Sequence, residues 1–341
     1  MTHAILCSPG HNRVYFEASL KLSVAEFTIV SRGLSASCKN VSHRNICGIQ
    51  YLTFDTDSGL SREDLSIISG LSFAYGLFAV EGIYLRPVEL VRDWFVDENM
   101  SAILKYTGKT NEIFTRMLLN VARYSGGQGS PIRVLDPVAG KGTTLYEGLV
   151  KGFNVYGIEI SDGVVNECYH YIKKFLENAK YKFEHNALKI SGENKAFTAL
   201  RHTFTTARNK IEQKEGNTRT IEVIAGNSLY ADKFYKKNYF DMIVGDLPYG
   251  VQHGAVSNEK QSKLTRNPGE LVRTCLPSWV NVLKPGGVVT LSWNVNTLSR
   301  KKLTEILEEN GLNVLIDGVY PDFEHRVDQA IVRDIIVATK K

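Results

Sequence analysis

No apolar run in this sequence approaches the roughly 18 consecutive positions that a membrane-crossing helix requires, so a chain that spans a bilayer by helices is not expected. At the N-terminus, Met1-Thr2-His3-Ala4 is not a charged region followed by an apolar stretch, and no secretory leader is expected. The cysteines number five, an odd count, and none stand in a Cys-x-x-Cys pair. That argues against a disulfide framework and fits a reducing, cytoplasmic setting. Cys7, His11, Cys38, His43 and Cys47 could in principle gather around zinc, but buried free thiols are the expected reading and no metal is assigned. Internal repeats and low-complexity tracts are absent too.

What is present fits a soluble globular chain of two domains: 341 residues, 43% apolar and 23% charged. The net charge of +5 is compatible with a polyanionic partner without requiring one. Its distribution is uneven. Between His170 and Thr220 stand eleven basic residues against five acids, which suits either a solvated face or a nucleic-acid contact.

Residues 1–97 read as a small α+β domain whose default role is packing or substrate docking. Strands are expected at 13–17, 49–54 and 84–87, and the region 60–80 has helical spacing behind a Ser61-x-x-Asp64 cap. From 98 to 341 the pattern changes. Asn111 can cap a helix with Ile113, Phe114, Met117, Leu118 and Val121 on one face. Strands and helices then alternate as in a doubly wound α/β sheet, with strands at 132–136, 154–160, 221–226, 240–246, 287–293, 313–320 and 330–339. No helix separates the last two strands, so they must pair antiparallel. Residues 183–220 read as a basic, mostly helical insertion.

The first βα unit runs Val134-Leu135-Asp136-Pro137-Val138-Ala139-Gly140-Lys141-Gly142-Thr143-Thr144. Its glycines let a ligand approach the backbone at the strand's C-terminal edge. The order Gly140-Lys141-Gly142 breaks a P-loop, and Leu145 stands where a dinucleotide fingerprint needs its third glycine. Asp136 would repel a pyrophosphate but suits the ammonium of a methionine moiety. The second strand ends in Glu159-Ile160, which places a carboxylate where a ribose would lie. Together these residues favour S-adenosylmethionine. Asn227-Ser228, ending the third strand, would lie beside its adenine, with the Asn227 carbonyl able to accept from the adenine amine.

The fourth strand ends in Asp246-Leu247-Pro248-Tyr249-Gly250, in the crevice where α/β sheets carry their chemistry. An exocyclic base amine is a poor nucleophile because its lone pair is delocalised into the ring. Hydrogen bonds from it to the Asp246 carboxylate and the Leu247 carbonyl would aim that lone pair at the methyl. Pro248 would fix the loop, and Tyr249 offers a face for a flipped-out base. The loop 251–266, with His253, Lys260, Lys263 and Arg266, reads as a lid. His325-Arg326 could meet a phosphate, although a solvated turn is the expected reading.

At these motifs the sequence resembles the amino-directed class I methyltransferases. Its Asp-Leu-Pro-Tyr-Gly form resembles the THUMP-type tRNA guanine-N2 methyltransferases, as does the Lys105-Tyr106-x-Gly108-Lys109-Thr110-Asn111 segment. No THUMP pattern stands in the N-terminal section. The resemblance covers roughly 100–341. It implies a Rossmann-like seven-stranded sheet with an antiparallel last strand, and a cofactor carboxylate near Thr110 and the glycine loop. The expected cofactor residues are Thr110, Asp136, Pro137, Gly140, Gly142, Thr143, Glu159, Ile160, Asn227, Ser228 and Asp246. The expected catalytic residues are Asp246, Leu247, Pro248 and Tyr249. The implied substrate is RNA, with tRNA guanine N2 favoured. The alternatives are adenine N6 in RNA or DNA, a small-molecule acceptor, and a catalytically silent RNA-binding scaffold.

Overall fold

A computed structural model describes residues 1–8, 13–102, 111–127, 129–192, 194, 196–249, 267–327 and 329–341. The chain divides into two compact units, Met1–Asp93 with Ile316–Ile335, and Trp94–Leu315 with Ile336–Lys341.

The smaller unit is an antiparallel sheet of β1 (Thr2–Cys7), β2 (Cys38–Ile46), β3 (Ile49–Thr56), β4 (Ala74–Glu81) and β5 (Tyr84–Val88), in the order β2-β3-β1-β4-β5. Helix α1 (Arg13–Val30) buries Leu22, Ala25, Phe27 and Ile29, and Phe27 packs on Phe54 of β3 at 4.5 Å between ring centroids. Residues 13–17, expected as a strand, form the first turns of this helix; five residues are too few to separate a period of 2 from one of 3.6. The helical spacing over 60–80 is realised only in α2 (Arg62–Ser69), where Ser61 and Asp64 close a capping box. The rest becomes β4, because the buried Glu26 accepts both the amide (2.9 Å) and the hydroxyl of Ser72 and pins the chain to α1 before the strand begins. The segment Ile316–Ile335 is tied to the same helix region, with Arg32 donating to the Tyr320 hydroxyl at 2.8 Å and Lys21 pairing with Asp322 at 3.2 Å. Within it His325 is buried in the short strand β14 (His325–Arg326), its Nδ1 2.8 Å from the Phe323 carbonyl, and is not in a solvated turn.

The larger unit carries helices α3 (Asn99–Ala102), α4 (Glu112–Tyr124), α5 (Thr143–Val150), α6 (Asp162–Asn178), α7 (Lys210–Lys214), α8 (Ala231–Phe234), α9 (Pro268–Val282) and α10 (Arg300–Glu309). Its strands are β6 (Arg133–Asp136), β7 (Asn154–Glu159), β8 (Lys182–Ser191), β9 (Thr198–Ala207), β10 (Arg219–Ala225), β11 (Phe240–Asp246), β12 (Leu283–Asn294) and β13 (Leu312–Val314), with β15 (Val332–Lys340) reaching it from the smaller unit. The order is β13-β15-β12-β11-β6-β7-β10-β9-β8, with β14 on β15. β6, β7, β10, β11 and β12 pair in parallel where they meet, while β13 and β15 are antiparallel. Seven of these strands form the doubly wound sheet expected from the sequence.

The segment 183–220 departs from the helical expectation. β8 and β9 form an antiparallel hairpin that continues the sheet beyond β10, leaving only α7 helical. Thr203, Phe204, Thr205 and Thr206 favour a strand through their branched or aromatic side chains. The sixth expected strand, 313–320, is also shorter than its apolar run. β13 stops at Val314, and Tyr320 starts a 3-10 turn in the other unit.

Candidate active site

Five parallel strands end on one edge of the sheet, and the loops after β6, β7 and β11 enclose a cavity of about 240 Å³. Asp136, Gly140, Thr143, Glu159 and Asp246 line it, so residues from three strand ends that are far apart in sequence meet in one place. This is the crevice where open α/β sheets bind ligands.

Asp136 closes β6 and is 3% exposed. Its Oδ1 accepts the Val138 amide at 3.0 Å, and the Thr144 side chain also bonds to it. Burial pushes its carboxyl up to about 7; the Thr144 and Val138 bonds oppose the shift, and the charges of Asp246 and Glu159 add to it. Glu159 closes β7 and accepts from the amides of Gly140 at 3.1 Å and Ser161 at 2.9 Å. Burial raises its pKa too, against those amide bonds. The loop between β6 and α5 needs its glycines. Gly142, the N-cap of α5, has φ +87°, and a Cβ there would lie 2.9 Å from the Tyr146 ring. Gly140 has φ +50° and open space where a side chain would stand.

Asp246 ends β11, in register with Ser292 of the parallel strand β12. The hydroxyls of Ser292 and Tyr249 both donate to its Oδ1, the latter at 2.5 Å. Leu247 is 1% exposed and belongs to the sheet's apolar core, and its amide donates to the Ser292 carbonyl at 2.8 Å. A proline here would have no N–H for that bond, so leucine extends the β11–β12 ladder by one residue. Pro248 and Tyr249 follow, both half-buried.

Other expected residues stand outside the cavity lining. Pro137 packs near Gly245, and Ile160, just past β7, is 38% exposed. Asn227 follows β10 and uses its side-chain oxygen to cap the turn Ser228–Tyr230, accepting the Leu229 amide at 2.9 Å. The Ser228 carbonyl takes the indole N–H of Trp279 at 3.2 Å. Thr110, Gly250 and the loop 251–266 lie outside the described residues.

The sequence reading missed Ser292, and it also missed Val138, Ala139, Lys141, Thr144 and Val164 around the cavity. A signal for Ser292 existed. Thr290, Ser292 and Asn294 alternate as polar residues in an otherwise apolar strand, and all three are buried. Among the described residues Lys141 is the one cation on the lining, and its ammonium sits 2.7 Å from Glu167. Three carboxylates around a glycine loop therefore make a site whose charge suits a ligand carrying an ammonium and a sulfonium, together with a ribose that can donate. Among the described residues no group of three metal-binding side chains occurs.

Comparison with curated protein sequences gives no match. Among solved structures, TrmN from Thermus thermophilus aligns at 14% identity and TM-score 0.37, over 86% of this chain and 57% of that one. This chain thus spans little more than half the length of that protein. Magnesium protoporphyrin IX methyltransferase from Synechocystis PCC 6803 with bound S-adenosylmethionine aligns at 14% identity and TM-score 0.39, over 69% and 87% of the two chains. An rRNA methylase from Streptococcus thermophilus aligns at 10% identity and TM-score 0.35, over 69% and 99%. In sequence, residues 104–318 match the family described as RMKL-like, methyltransferase domain. That match covers more than half of the chain, which therefore belongs to the RMKL-like methyltransferase family, with S-adenosyl-L-methionine as its cofactor.

Proposed function

We propose that this chain methylates an exocyclic amino nitrogen of a base in RNA, and that the acceptor is guanine N2 in tRNA in the cytoplasm. The observation that carries the reading is Asp246. Its carboxylate lines the cavity that Asp136 and Glu159 share, at the head of a Leu247-Pro248-Tyr249 loop.

When bound, S-adenosylmethionine supplies an electrophilic methyl on a sulfonium. In this reading Asp136 would accept from its ammonium, and Thr143 would lie near its carboxylate. Glu159 accepts from the ribose hydroxyls, and the backbone of Pro137, Gly140 and Gly142 lets the ligand come close. Ile160, Asn227 and Ser228 border the adenine. Asp246 and the Leu247 carbonyl accept from the base amine and orient its lone pair. Pro248 holds the loop, and Tyr249 stacks on the base. The rate then comes mainly from positioning. Residues 1–97 are proposed to dock the RNA, leaving 98–341 to carry the transfer.

The test is to incubate total tRNA, ribosomal RNA and genomic DNA separately with the protein and labelled cofactor, then digest to nucleosides for mass spectrometry. Label in tRNA as N2-methylguanosine is expected, and Asp246→Ala should abolish it while leaving cofactor affinity nearly intact. Label as N6-methyladenosine would keep the mechanism and change the base. Label in DNA alone would overturn the substrate class.

A further inference from the structure

We propose that Ser292 is a positioning residue that holds the Asp246 carboxylate in one rotation for the incoming amine. The inference rests on the reading of Asp246 as the acceptor of that amine. Ser292 is fully buried and lies on β12, directly across the parallel ladder from Asp246. It engages the loop twice. Its hydroxyl donates to Asp246 Oδ1, and its carbonyl accepts the Leu247 amide at 2.8 Å. One residue of the neighbouring strand therefore holds the Asp246 carboxylate through its side chain and the peptide joining Asp246 to Leu247 through its backbone.

A fully buried hydroxyl costs stability unless bonded, and an apolar side chain would pack between the flanking core residues at lower cost. Here the donor meets a carboxylate on the rim of a cavity. A donor there gives the carboxylate a fixed direction relative to the sheet.

The Tyr249 hydroxyl gives the same oxygen a second donor at 2.5 Å. The two donors differ in origin. Tyr249 sits in the loop that receives the base, and stacking on the base draws its hydroxyl away. Ser292 sits in the sheet and stays. Ser292 therefore keeps the carboxylate in its orientation once substrate is bound.

The test compares crystal structures of the wild type, Ser292→Ala and Ser292→Thr without RNA. The Asp246 carboxylate should hold one rotation in the wild type and in Ser292→Thr, which keeps the hydroxyl, and should turn or split between rotations in Ser292→Ala. Calorimetry should find cofactor affinity within twofold of wild type in both variants. If Ser292→Ala does not fold, Ser292→Cys, near in size with a weak donor, serves in its place. A folded Ser292→Ala or Ser292→Cys variant with Asp246 in its wild-type rotation overturns the proposal. In a second arm, methyl transfer to whichever RNA the wild type modifies should lose about tenfold in kcat in Ser292→Ala with little change in KM, and Ser292→Thr should recover it. Unchanged kcat would overturn the positioning role. If the wild type methylates no RNA, the functional reading fails, and the structures still decide the bond to Ser292.

Discussion

Gly140 and Glu159 lock two loops together: the Gly140 amide donates to one carboxylate oxygen of Glu159 at 3.1 Å, and the Ser161 amide donates to the other at 2.9 Å. The carboxylate assigned to the ribose thus also shapes the glycine loop. Each oxygen has a second lone pair, so ribose hydroxyls can add to these bonds without displacing them. Glu159→Ala should therefore weaken cofactor binding by about 1.5–3 kcal/mol. It should also lower the melting temperature of the cofactor-free protein, because two loop amides lose their acceptor. Calorimetry and thermal melts measure the two effects separately. Unchanged affinity would remove Glu159 from the cofactor site.

The two glycines of the loop should respond differently to alanine. Both have positive φ, which costs an L-residue on the order of 1 kcal/mol. At Gly140 nothing lies within 4 Å of the added Cβ, so Gly140→Ala should stop near that cost. At Gly142 the Cβ would lie 2.9 Å from the Tyr146 ring, and Tyr146 is itself 1% exposed. Gly142→Ala should therefore cost roughly 1–3 kcal/mol more, with a matching loss of cofactor affinity. Equal melting temperatures for the two variants would contradict the geometry.

How legible this site was depended on whether each residue's job was local. Asp136, the glycines and Glu159 lie within one βα unit and the strand after it, and their order and spacing point to the loop and strand ends that the structure brings to one cavity. Asp246 is legible for the same reason, as an acid leading a Pro-Tyr loop at a strand end. Ser292 is legible only as one of the alternating polar residues of β12, because its meaning comes from lying across the ladder from Asp246, forty-six residues earlier. Asn227 is the opposite case. Its position after β10 was read from the pattern, but its oxygen serves the local turn. The hairpin of β8 and β9 was misread because the basic residues of the wider segment were weighed above the branched and aromatic run in β9. Arg201 and Arg219 show how little composition says there. Arg201 lies 3.4 Å from the buried Glu222, and Arg219 donates to the Gly152 carbonyl and sits 5.0 Å over the Phe95 ring.

Asp136 predicts opposite pH responses for stability and binding. Its folded-state pKa, about 7, lies above its ordinary value of 3.8 because the carboxyl is buried. A raised pKa contributes stability that is fully present below the unfolded value and lost as pH rises through the folded one. The cofactor-free protein should accordingly lose stability between about pH 4 and pH 7, on the order of 4 kcal/mol at most. Cofactor binding needs the ionised form facing an ammonium, so affinity should rise over the upper part of the same window and level off above pH 7. Calorimetry near pH 6 in buffers of different ionisation enthalpy should register close to one proton released per cofactor bound. No proton release, with affinity flat from pH 5.5 to 7.5, would show that Asp136 does not meet the ammonium.

The basic segment offers a test of the RNA reading that does not depend on catalysis. Of its eleven basic residues, Arg201 and Arg219 serve the interior, Arg208 is held by Glu212 at 2.9 Å, and Lys173 lies 4.0 Å from Glu177. Lys174, Lys189, Lys210 and Lys214 are exposed on α6, β8 and α7. Each lysine that neutralises a phosphate releases counterions on binding, so the logarithm of affinity falls with the logarithm of salt by about 0.7–0.9 per contact. Changing these four lysines to glutamate should flatten the salt dependence of tRNA binding by up to roughly 3 in slope. Changing Arg208 and Lys173, whose charges are already met within the chain, should flatten it much less. The measurement is a series of binding isotherms between low and physiological salt, with cofactor affinity as the check that the site is intact. An unaltered slope in the four-lysine variant would make this surface a bystander and move the RNA contact to another part of the chain.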